Sequence, residues 1–132
     1  MAAQGRKNVH GKAGVRFKTP YTSSKEKAMQ RNVVSELIIN GHVTVTSGVV
    51  KTLKKNADHL ITLAKRGDLH SRRLAASFLR NITDEKGTTA LTKLFEELGP
   101  KFKERNGGYT RAIKCVTRRG DGATPVIVSW VE

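Results

Sequence analysis

A two-layer α+β fold, with helices over a small sheet and an extended basic arm in front, is the architecture this sequence predicts. Three observations carry that expectation. Apolar residues keep helical spacing from about residue 23 to residue 98, interrupted by one short alternating run. The last quarter switches to a period of two around a Gly-rich turn. The first nineteen residues offer Val9, Val15 and Phe17 as sizeable apolar side chains, while Gly5, Gly11 and Gly14 discourage regular structure. The expected organisation is an arm over 1–22 and one domain over 23–132, in the order helix, strand, three helices, two strands.

The first helix is expected from Ser23, where Ser23 and Glu26 form a capping-box pattern. Met29, Val33, Val34, Leu37 and Ile38 supply its apolar face, and Asn40-Gly41 its stop. His42 to Thr46 alternates and is β-branched, which predicts a short strand. Ser47 is placed to cap a second helix whose buried face is Val49, Val50, Leu53, Ala57, Leu60, Ile61 and Ala64, with Gly67 at its end. Asp68 caps a third, expected to bury Leu69, Leu74, Ala75, Phe78 and Leu79. The fourth begins near Thr88 or Thr89, buries Leu91, Leu94, Phe95 and Leu98, and is expected to break at Gly99-Pro100. Tyr109–Thr117 and Val126–Val131 then read as a hairpin, joined by a basic, Gly-containing tip over 118–124.

Charge narrows the function. Residues 1–32 carry eight Lys/Arg against Glu26 alone, a net of +7, which is half of the chain's formal +14. Such an excess repels itself unless a polyanion neutralises it. No run approaches the ~20 apolar residues of a membrane span, and the arm lacks the strong apolar face of a membrane-surface helix. Nucleic acid is therefore the expected partner, with no membrane and no small-molecule substrate. Extended, the first nineteen residues reach roughly 60 Å, enough to thread a groove.

Candidate contacts follow from residue type. Arg6, Lys7, Lys12, Arg16 and Lys18 in the arm release counterions from phosphates, against the plainer reading of a solvated tail. Ser23, Ser24, Lys25, Lys27 and Arg31 surround a helix start, where exposed N–H groups favour an anion; ordinary N-capping is the plainer alternative. Arg72 and Arg73 lie off the apolar face of the third helix, as Lys51, Lys54 and Lys55 do on the second. In Gly107-Gly108-Tyr109-Thr110-Arg111, the glycines permit close backbone approach, Tyr109 can stack on a base and Arg111 can fork onto a phosphate. A glycine loop leading to a core tyrosine explains the same residues equally well. Arg118 and Arg119 make the hairpin tip basic.

Catalytic chemistry finds little to work with. His10, His42, His59 and His70 stand alone, and no Cys-x-x-Cys accompanies them, so no metal site is expected. Cys115, the single cysteine, fits a reducing compartment and reads as a buried thiol on a strand. Asp84, Glu85, Glu96, Glu97 and Glu104 have basic neighbours and read as a solvated face. With no phosphate-binding glycine loop either, neither an enzyme nor a cofactor is expected.

An ordered set of segments resembles a known family. It comprises Ala28-Met29-Gln30-Arg31-Asn32, Leu37-Ile38, Thr44-Val45-Thr46 and Leu60-Ile61-Thr62-Leu63-Ala64-Lys65. Further along come Lys93-Leu94-Phe95-Glu96-Glu97-Leu98-Gly99-Pro100, Gly107-Gly108-Tyr109-Thr110-Arg111, Lys114-Cys115 and Arg119-Gly120-Asp121. From about Ser23 onward the chain resembles the bacterial large-subunit ribosomal protein L seventeen family. The resemblance implies helices over a three-stranded mixed sheet, and a cytoplasmic structural constituent of the large ribosomal subunit. It also implies large-subunit rRNA and neighbouring large-subunit ribosomal proteins as partners, near the polypeptide exit side. A basic DNA-binding architectural or regulatory protein is the alternative from charge alone. It requires a dimer seam and a groove-reading helix, which this sequence does not display.

Overall fold

A computed structural model of the chain describes residues 22–132. The arm cations Arg6, Lys7, Lys12, Arg16 and Lys18 lie outside the described residues. The elements run α1 (Ser23–Asn40), β1 (His42–Thr46), α2 (Ser47–Arg66) and α3 (Leu69–Phe78). A fourth helical stretch follows, built of α4 (Ala90–Lys93), a π-helical turn (Leu94–Leu98) and α5 (Gly99–Lys101), before β2 (Thr110–Lys114) and β3 (Pro125–Trp130).

The α+β layering matches the expectation. The sheet differs in one respect: its order is β1-β3-β2 and both pairings are antiparallel, so it is not mixed. The reason is topological. The C-terminal hairpin places β3 beside β2, and β3 then runs back along β1, pairing Val128 with Val43 and Val126 with Val45.

α2 is the hub of the core. Leu53, Ala57 and Ile61 are fully buried and Leu60 nearly so, under Val34, Leu37 and Ile38 of α1, Leu94 of the π turn and Val128 of the sheet. Alternation in β1 and β3 turns Val43, Val45, Val126 and Val128 toward this core and leaves the opposite sheet face open to solvent. Trp130 closes the layer contact: its indole N–H donates to the Leu37 carbonyl at 3.0 Å.

Helix ends depart from the sequence expectation in small, explicable ways. Thr22, not Ser23, caps α1, its hydroxyl accepting from the Lys25 N–H at 3.4 Å. Thr46, the last residue of β1, takes the N-cap position of α2, ahead of Ser47, without a side-chain bond. Asp68 caps α3 as expected, and its bonds from Ser71 hold the carboxyl below its ordinary pKa. Gly41 ends α1 at φ +80°, in the left-handed region where a Cβ is strained, and its N–H returns to the Leu37 carbonyl.

Gly99-Pro100 does not break its helix. Pro100 has no N–H, and its ring crowds the carbonyl four residues back. The backbone widens to absorb this: the Gly99 N–H reaches Leu94 in a π turn, and helical structure continues to Lys101. Gly99 also lets this stretch lie against α2, because a Cβ there would meet the Ala64 carbonyl oxygen at 3.2 Å.

The third helix is less buried than its periodicity predicts. Ala75 is buried and Phe78 and Leu79 are half-buried, but Leu69 and Leu74 are 64% and 43% exposed. α3 touches α2 along a narrow strip, and the small side chains Ser71 and Ala75 occupy its buried positions. The first strand of the hairpin is shorter than predicted, and the second keeps its predicted length but begins one residue earlier. Cys115 therefore follows β2 and is only half-buried, which removes it from the core. Leu94→Ala should cost about 2–5 kcal/mol of unfolding free energy through loss of buried area and a residual cavity. Leu69→Ala should stay within about 0.5 kcal/mol; denaturant melts of both variants check the ranking.

Candidate nucleic-acid interface

Twenty Lys/Arg lie in residues 22–132 against eleven acids. Only Lys93–Asp84 and Arg118–Asp121 come within ion-pair distance among the described residues. Sixteen of the twenty cations are exposed, and the other four are half-buried. Acids are thus too few and too scattered to neutralise the surface, and the cations fall into local groups set by the fold.

The first group gathers around the start of α1. Ser24, Lys25 and Lys27 are exposed there and Ser23 is half-buried. One turn on, the Arg31 guanidinium donates to the Ser77 carbonyl at the end of α3 and lies 5.8 Å from the centre of the Phe78 ring. Arg80, which the sequence did not single out, joins from the segment after α3. Its Nε donates to the Asn32 side chain at 3.2 Å and its backbone N–H to Ser35 Oγ at 2.9 Å. Ser35 is fully buried and donates in turn to the Arg31 carbonyl at 2.7 Å, so both of its roles are satisfied. A groove of about 810 Å³ opens between α1, α2 and this segment, with Lys27, Arg31 and Arg80 along it.

The second group lies on α3. Arg72 stacks over the Phe95 ring at 5.3 Å, and Arg73 is exposed. Lys51 and Lys55 on α2 are exposed as well, and Lys54 is half-buried.

The third group surrounds the entry to β2. Gly107 and Gly108 adopt φ +120° and +60°, a backbone conformation that favours glycine, with open space where a Cβ would stand. Tyr109 is 6% exposed, which withdraws its ring from any partner. It packs on Phe102 at a centroid distance of 5.3 Å, and its hydroxyl accepts from Lys65 Nζ at 3.3 Å. Lys65 also donates to the Arg105 carbonyl at 2.7 Å, fastening the basic turn to α2. The core-tyrosine reading holds at Tyr109, and base stacking does not. Arg111 is exposed on the outer sheet face, in one row with Ser129 and His42.

At the hairpin tip, Arg118 is committed within the chain. Its Nε donates to Asp121 Oδ1 at 3.1 Å, and a second guanidinium bond reaches the other oxygen. Asp121 also accepts from the Ala123 N–H at 3.1 Å. Arg119 beside it is exposed, with no ion-pair partner among the described residues. Sequence spacing concealed Arg80, Lys65 and the Arg118–Asp121 fork because each depends on a loop conformation. The run Arg118-x-x-Asp121 was the one signal available.

Taken together, the two-layer α+β domain with acid-poor cationic clusters has the form of a nucleic-acid-binding protein. Comparison with known proteins specifies it. A family model described as ribosomal protein L17 matches residues 29–131. The large ribosomal subunit protein bL17 of Limosilactobacillus reuteri is 50% identical over 119 residues, covering 84% of this chain and 94% of that protein. Its counterpart in Leuconostoc mesenteroides is 49% identical with the same coverage. That of Mycoplasma capricolum is 53% identical over 104 residues, or 79% of this chain and 87% of the relative. The chain belongs to the ribosomal protein L17 family. None of these matches supports the DNA-binding alternative.

The tip fork makes a pH prediction. The Arg118 guanidinium and the Ala123 N–H hold the Asp121 carboxyl down at about 2. The stabilisation this represents is present above the ordinary aspartate pKa and is lost as pH falls through about 2. A side-chain NMR titration should find the Asp121 midpoint near that value, and Arg118→Ala should return it toward ordinary aspartate. An identical midpoint in the variant would contradict the fork.

Proposed function

We propose that this protein is a structural, non-catalytic constituent of the large ribosomal subunit, holding folded segments of large-subunit rRNA through phosphate and shape contacts. The observation that carries the reading is the set of exposed cations without acid partners on α1, α3, the β2 entry and the hairpin tip. Membership of the ribosomal protein L17 family supports it, as do relatives named as large-subunit proteins. Cations spread over separate elements suit recognition of backbone geometry, since phosphate contacts fix position and carry little sequence information.

In this mechanism Lys25 and Lys27 grip phosphates beside the start of α1, where the helix N–H groups favour negative charge. Arg31 shapes that site from its stack on Phe78. Arg72, Arg73, Arg111 and Arg119 provide contacts on the other groups, and Arg118 combines the tip fork with a partly exposed edge. Gly107 and Gly108 set the path of the chain into β2, with Tyr109 as its anchor. The arm cations extend the same electrostatic contact along RNA. Neighbouring large-subunit proteins are the remaining partners.

Sedimentation of a cell extract at moderate salt should place the protein with large subunits; a predominantly free pool would overturn the reading. Deleting residues 1–19 removes five cations and should lower the magnitude of the slope of log affinity against log salt by about 3.5–4.5. An unchanged slope would remove the arm from the interface. Arg111→Ala should weaken incorporation into the subunit while leaving the melting temperature within a degree or two, because the side chain packs against nothing that sustains the core.

A further inference from the structure

The groove beside α1 contains a feature that phosphate binding leaves unexplained. Gln30 is 3% exposed, lines this groove, and neither its Nε2 nor its Oε1 has a hydrogen-bond partner among the described residues. A buried primary amide with no partner is costly and uncommon in a folded protein. Glu26, one turn earlier on the same wall, is 8% exposed and has no ion-pair partner among the described residues. A carboxylate at that depth repels a phosphate and attracts hydrogen-bond donors. Asn56 brings a second amide from α2, and the Phe78 ring under Arg31 offers a flat wall. Lys27 and Arg80 supply positive charge along the groove. At about 810 Å³ the groove falls within the ~300–1,000 Å³ range of small-molecule pockets.

We propose that this groove receives one unstacked adenine base of the bound RNA, its hydrogen-bonding edge on the Gln30 amide and its sugar-phosphate on Lys27 and Arg80. The assignment rests on the rRNA-binding reading and deepens it. A glutamine amide presents one donor and one acceptor side by side, which matches the amino group and adjacent ring nitrogen of adenine. The second amino hydrogen of that base suits the Glu26 carboxylate. Uracil offers a carbonyl where adenine has its amino group, and so turns an acceptor toward Glu26. Unstacked bases held on aromatic and guanidinium planes are the usual way proteins read RNA sequence, and the Arg31–Phe78 stack provides such a surface.

The test compares two seven-nucleotide RNAs, all-uridine and the same strand with one central adenosine, titrated against the full chain. The adenosine strand should bind about tenfold more tightly, and it alone should shift the Gln30 side-chain amide resonances. Gln30→Leu removes the unpaired amide and should melt at the same or a higher temperature. In that variant the preference should fall to near one while the affinity for the all-uridine strand is retained. Lys27→Ala should weaken both strands equally, giving a control for backbone contact.

Equal binding of the two strands by the wild-type chain would overturn the adenine site and leave RNA binding standing. So would an unchanged preference in a folded Gln30→Leu variant, or Gln30 amide protons already protected from exchange in the RNA-free chain. Failure of both heptamers and of ribosomal RNA to bind at physiological salt would instead remove the functional reading itself.

Discussion

Uncompensated positive charge is the constraint around which this molecule is arranged. The chain carries +14 at neutral pH, and in the described residues only two ion pairs relieve it. Self-repulsion on this scale opposes a compact state and is screened only over about 8–10 Å at ordinary ionic strength. The fold deals with it in two ways. Most cations are sent to the surface, in local groups on separate elements. Those drawn inward meet chiefly dipoles and rings: Lys65 a carbonyl and a phenol, Arg31 a carbonyl and Phe78, and Lys93 the Ile39 carbonyl at the end of α1 as well as Asp84. Each such contact joins two elements, so these cations serve the fold at the same time as they are partly neutralised.

The core that withstands this repulsion is organised by α2. Its buried face meets α1, the π turn and the sheet, and Gly99 allows the last helical stretch to approach it closely. Because helices cover only one face of the sheet, the other face is free to carry Arg111 in a row with His42 and Ser129. Because α3 is anchored through small residues, its outer side is free to carry Arg72 and Arg73. The division between packing and charged surface thus follows directly from layer geometry.

Much of this was legible in the sequence, for reasons tied to particular residues. α1, β1 and α2 follow from uninterrupted periodicity punctuated by Gly41 and Gly67, where left-handed backbone is required. Other features leave no mark in the sequence because they depend on which neighbour is present. Leu69 and Leu74 keep helical spacing, but no neighbouring element buries them. Pro100 is a strong helix breaker locally, yet a π turn and packing on α2 outweigh it. Tyr109 could be assigned to the core or to a partner equally well until Phe102 and Lys65 were found against it. In the candidate site, exposed cations such as Lys27 and Arg111 were visible by residue type alone. Arg80 and the buried amide of Gln30 were not, because a groove between three segments leaves no periodic mark in a linear chain.

The claim that a polyanion completes the molecule is tested most directly by the thermal midpoint of the full chain, measured against ionic strength with and without ribosomal RNA. If repulsion is the limiting constraint, the midpoint of the free protein rises as added salt screens it. RNA then raises the midpoint most at low salt, with the gain shrinking as salt competes for the phosphates. A free-protein midpoint that falls with salt, together with no shift on adding RNA at any ionic strength, would contradict the account.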